Sequence, residues 1–127
     1  MKLKNSLGLA GWLTSSLMLA AGCSKSGAGG PAPLAADQIP TAVNQAFATA
    51  PADTRQQVAS VVTDAQAKDS STTFVDLQNL SARPDLTPQQ RQIVVRAMQT
   101  TFQQVRAEAT NGNPAAQKVL HQYISTR

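Results

Sequence analysis

The side chains able to coordinate a metal or carry acid–base chemistry are few: Cys23, His121, Glu108 and the aspartates at 37, 53, 64, 69, 76 and 85. A metal site needs three or four His, Cys, Asp or Glu ligands converging, and no cluster with such spacing occurs. His121 lies beside an apolar run, with Gln117 at i−4 and Ser125 at i+4, a setting that predicts a surface or cap-proximal imidazole. Catalysis by paired carboxylates needs two acids in one cleft with separated pKa values. Here the aspartates read as first-turn, cap or loop residues, and Glu108 with Arg106 and Lys118 reads as solvated surface. No GxSxG elbow frames a serine, and no glycine-rich phosphate loop follows a strand. The expectation is a non-enzyme with no metal and no cofactor.

Cys23 is different because of what surrounds it. Lys2 and Lys4 precede an apolar stretch, residues 7–21, of the length of a signal-peptide core. Thr14, Ser15 and Ser16 interrupt that stretch, which is short of the roughly 20 apolar residues of a spanning helix. Small residues, Ala20, Ala21 and Gly22, then allow an extended backbone into a peptidase cleft. The residues leave two outcomes open for Cys23: a leftover thiol beside an ordinary secretory cleavage site, or a modified first residue.

The string Leu19-Ala20-Ala21-Gly22-Cys23 resembles the lipobox of bacterial lipoproteins, with Ala20 at the position where leucine is commonest. The resemblance implies cleavage between Gly22 and Cys23, a diacylglyceryl group on the thiol, and a new amino group open to acylation. One acyl chain gives marginal membrane binding, whereas two or three give a durable anchor. In such lipoproteins aspartate after the cysteine often signals inner-membrane retention; Ser24 stands there instead. That implies the periplasmic face of an outer membrane in a diderm organism.

The resemblance and the composition together imply a signal peptide at 1–22, a lipidated cysteine with a tether at 23–36, and a helical domain at 37–127. Residues 24–36, SKSGAGGPAPLAA, lack apolar periodicity. As a flexible coil they span on the order of 20 Å, with an extended limit of roughly 45 Å. Without the signal and tether the charge balance changes. Eight basic and seven acidic residues remain in 37–127, with Arg and Lys dispersed, so the composition does not support nucleic-acid binding. A lone cysteine also excludes a disulfide within the chain.

From Ile39 onward the apolar spacing is helical and no alternating strand pattern competes. The first helix carries Ile39, Val43, Phe47 and Ala50, with Pro40 in its first turn. The second starts near Pro51, presents Val58, Val61, Val62 and Ala65, and pairs Asp64 with Lys68 at i,i+4. A third carries Phe74, Leu77 and Leu80, with Val75 widening the face. Thr87, Pro88 and Gln90 form a capping box that starts the longest helix, to about Thr110, with Val94, Ala97, Met98, Thr101, Val105 and Ala109 on its stripe. Gly112, Asn113 and Pro114 end it and start a fifth helix bearing Ala116, Val119, Leu120, Tyr123 and Ile124.

These elements predict an all-α bundle of about five short helices, with Phe47, Phe74, Phe102 and Tyr123 in one shared core. The favoured role is a structural or protein-interaction module with an envelope protein partner, anchored to the membrane through Cys23. The alternative is a periplasmic carrier holding a small apolar ligand in a pocket lined by Phe74, Met98 and Phe102.

Overall fold

The computed structural model describes residues 31–127, and every regular element among them is helical. A 3-10 turn, Ala36–Gln38, leads directly into α1, Ile39–Ala46; then follow α2, Ala52–Gln66, α3, Ser70–Ser81, α4, Pro88–Thr110, and α5, Pro114–Ser125. None of these helices is long and apolar enough to cross a membrane.

Side-chain caps set the starts of α3, α4 and α5. Asp69 accepts hydrogen bonds from the Thr72 backbone N–H at 3.0 Å and from its hydroxyl at 2.7 Å, a cap worth about 1 kcal/mol. These bonds, the backbone one first, hold the Asp69 carboxyl below its usual range. At α4 the capping box forms as the sequence predicts. The Gln90 N–H donates to Thr87 Oγ1 at 3.1 Å, and the Thr87 N–H donates to Gln90 Oε1 at 3.0 Å. The same Gln90 side chain also donates through Nε2 to the Ala46 carbonyl at 3.2 Å, tying the end of α1 to the start of α4. Asn113 caps α5 by accepting from the Ala115 and Ala116 N–H groups.

Two helices end alike. In α4, Gly112 at φ 90 lets the Asn113 N–H donate to the Glu108 carbonyl and its own N–H donate to Ala109, a Schellman arrangement. In α2 the same pair of bonds runs from Asp69 to Asp64 and from Lys68 to Ala65, with Lys68 itself at φ 58. The expected Asp64–Lys68 ion pair is therefore replaced by a helix stop. Lys68 lies beyond the last helical residue, where the chain has turned left-handed, and the ion pairs among the described residues belong to Arg83.

Packing centres on α4, which touches α1, α3 and α5, while α2 lies against α1 and α3. The core has two parts. Ile39, Val43, Phe47, Val58, Val61, Leu77, Leu80, Val94 and Ala97 fill one. Phe74, Val105, Ala109 and Ala116 form the other, flanked by Phe102 and Tyr123. Partly buried Met98 borders both. The expected single aromatic core is thus divided: Phe47 lies apart, while Phe74 meets Phe102 and Tyr123 with ring centroids 5.5 and 5.4 Å away. Val75 and Ile124, expected on buried faces, are exposed. Neighbouring buried positions on α3 leave Val75 on its outer side, and on α5 only Ala116 is fully covered.

The start of the folded part also differs from expectation. The last residues of the expected tether, 31–36, lie along α4 as a strap. Leu34 is 7 % exposed; its N–H donates to the Arg96 carbonyl at 3.4 Å, and its carbonyl accepts from the Thr100 hydroxyl. Arg96 Nε donates to the Ala32 carbonyl at 2.7 Å. Burying one leucine side chain is worth about 1.5–3 kcal/mol, and with these hydrogen bonds it offsets the cost of ordering a segment rich in Ala and Pro.

Candidate functional site

A groove of about 610 Å³ opens where five elements converge, within the usual size of a ligand site. Ala36 and Asp37 of the 3-10 turn form one wall with Ile39 and Pro40 of α1. The end of α2 supplies Ala65, Gln66 and the left-handed Lys68. Ser70 and Thr73 come from the first turn of α3, and Thr101, Gln104 and Glu108 from one face of α4.

Its polar groups are unequally satisfied. The Thr73 and Thr101 hydroxyls donate back to the carbonyls of Asp69 and Ala97, four residues earlier in each case, and are spent on their own helices. Buried Ser70 donates through Oγ to Glu108 Oε1 at 2.7 Å. Glu108 is half-buried, and no cation among the described residues pairs with it. The expectation that Glu108 belongs to a solvated surface with Arg106 and Lys118 is corrected. Its helix position carries it to the groove, opposite the start of α3.

The remaining titratable residues do structural work or lie in the open. Arg83 closes the other end of the bundle. Its Nη2 lies 2.9 Å from Asp53 Oδ2, its Nε and Nη2 form a fork onto Asp85 with both bonds at 3.1 Å, and Nη1 reaches Gln57 at 3.3 Å. The Arg83 hydrogen bonds hold both the Asp53 and Asp85 carboxyls below the usual range. On the outer side of α2 and α3, burial first, then a hydrogen bond and charge from Asp64, push the Asp76 carboxyl up. His121 is exposed on α5, and its backbone carbonyl accepts from Ser125 Oγ at 2.7 Å. Among the described residues no three His, Cys, Asp or Glu side chains gather as a metal site would require.

Phe74 and Phe102, expected to line a ligand pocket with Met98, pack on each other and on Tyr123; Phe74 is 1 % exposed. Gly22 and Cys23, the expected cleavage and lipidation residues, lie outside the described residues.

Sequence reasoning missed Lys68, Ser70 and Glu108 as one site. The legible signal was the continuation of the buried α4 stripe: Thr101, Gln104 and Glu108 follow Val94 and Ala97 at helical spacing, so the face that begins apolar ends on a carboxylate. No protein-family model, curated protein or solved structure matches the chain.

Proposed function

We propose that this chain is a bacterial envelope lipoprotein whose helical domain is a non-catalytic protein-interaction module, held beside the membrane by lipid on Cys23. The observation that carries the reading is the string Leu19-Ala20-Ala21-Gly22-Cys23 behind two lysines and an interrupted apolar core. Cleavage precedes Cys23, the thiol carries a diacylglyceryl group, and Ser24 directs the protein to the periplasmic face of the outer membrane where the organism has one.

The placement of the strap supports this reading. Pro31 borders Leu86, Pro88 and Arg91, at the end of the bundle where α4 begins. Seven residues lie between it and Cys23, a reach of at most about 28 Å. Anchoring raises the effective concentration of the domain for a partner in the same envelope layer. Fractionation of cells expressing Cys23→Ala tests the assignment. The native chain should enter the membrane fraction and resist high-salt extraction, and the variant should be released or retain its signal. Identical partitioning of both chains would contradict lipid anchoring at Cys23.

A further inference from the structure

The groove between the 3-10 turn, the α2–α3 corner and α4 has a direction relative to the strap. Pro31 neighbours Arg91, whereas the groove is lined by Thr101, Gln104 and Glu108. From Arg91 to Gln104 the helix rises by about 20 Å. The hydrogen bond from Gln90 to Ala46 and the ion pair from Arg83 to Asp53 belong to the strap's end of the bundle; the Ser70–Glu108 bond belongs to the other. The described chain therefore joins the bundle at the end remote from the groove.

The groove is apolar at Ile39, Pro40 and Ala65 but carries two carboxylates, Asp37 and Glu108, against one cation, Lys68. Glu108 is the informative member. It is partly withdrawn from water, one oxygen is engaged by a buried hydroxyl, and no cation among the described residues, Lys68 of the same groove included, lies within ion-pair distance of it. A half-buried carboxylate without a cation gains strongly from one supplied by a ligand, since charge-assisted bonds in a sheltered site exceed neutral ones. A guanidinium can address the carboxylate in the plane of its two oxygens, and its aliphatic stem suits apolar walls.

We propose that the groove is a docking site for an arginine side chain presented by a segment of a partner protein, with Glu108 as the primary acceptor and Asp37 as a second negative charge at the turn. Lys68 opposes the incoming cation and limits affinity. The inference rests on the interaction-module reading for its biological setting, but its chemistry is independent of lipidation.

Fluorescence anisotropy of the full chain in detergent tests it, using labelled blocked pentapeptides with Arg, Lys, Gln or Glu at the centre and varied apolar flanks. The arginine peptides should bind about tenfold or more tightly than their glutamine counterparts, and binding should weaken as salt rises. Glu108→Gln should remove that preference while leaving the melting temperature close to native, because the amide oxygen still accepts from Ser70. Lys68→Gln should strengthen arginine-peptide binding, and Asp53→Asn, at the opposite end, should leave it unchanged. Equal binding of arginine and glutamine peptides, or no binding of either, overturns the proposal. So does a native chain that self-associates through the groove, seen as Glu108→Gln altering its sedimentation in the absence of peptide. Cys23→Ala separates the two readings: arginine-peptide binding persists in it whether or not the anchor is lost.

Discussion

Replacing Lys68 with glycine should stabilise the domain, although it removes a long side chain and adds backbone freedom. Lys68 occupies the left-handed position that closes α2, at φ 58. That conformation costs an L-residue about 1–2 kcal/mol. Glycine avoids the cost but loses about 0.5–1 kcal/mol to the greater freedom of its unfolded chain. The net is about 0.5–1 kcal/mol in favour of Lys68→Gly, or about 3–6 °C in melting temperature for a domain of this size. The reciprocal change is available at the corresponding position of α4. Gly112 lies at φ 90, and a Cβ built there meets no heavy atom within 4 Å. Gly112→Ala therefore carries a torsional cost without a clash, and should destabilise by about 1 kcal/mol. Urea unfolding followed by far-ultraviolet circular dichroism measures both, with an unchanged m-value as the sign that only stability has moved. A neutral or destabilised Lys68→Gly with native m-value would refute the reasoning. It would mean that packing of the lysine stem on the groove wall outweighs the backbone strain.

Three further outcomes follow from particular contacts. Leu34→Ala should cost about 2–3 kcal/mol and accelerate amide exchange at Leu34 and Gln38; an effect below about 0.5 kcal/mol would mean that the strap adds little to stability. Gln90→Glu keeps the acceptor needed by the Thr87 N–H but loses the donor to Ala46, so denaturant unfolding at neutral pH should show a loss of about 1–3 kcal/mol, smaller in acid where the new carboxyl is protonated. Asp76 has a carboxyl raised above 3.8 by burial and Asp64, so its favourable contribution is complete below 3.8 and is lost as pH rises through the folded value. Asp76→Asn should therefore gain on the native chain as pH rises through that interval, measured by unfolding at stepped pH; a constant difference would contradict the assignment.

The helices were legible because their punctuation is local. Thr87 to Gln90 spell a capping box, Gly112 to Pro114 spell a stop and a start, and the spacing of Val94, Ala97, Thr101 and Val105 marks the buried side of α4. The strap was not legible, since Leu34 is a single apolar residue among Gly, Ala and Pro, and its burial depends on carbonyl and hydroxyl partners on α4 some 60 residues away. Lys68 misled for a related reason. Four-residue spacing predicts an ion pair with Asp64 only if the helix continues, and Asp69 ends that possibility by capping the next helix. The division of the aromatics between two clusters also depends on how the helices pack, which periodicity within each helix does not encode.

The central claim, a helical interaction module held by lipid on Cys23, is tested most directly by the intact mass and N-terminal peptide of the protein extracted from native membranes. The expected product is a mature chain that begins at Cys23 and carries a diacylglyceryl group on sulfur, with further mass where its amino group is acylated. A chain that retains residues 1–22, or one that begins elsewhere with an unmodified Cys23, would contradict it.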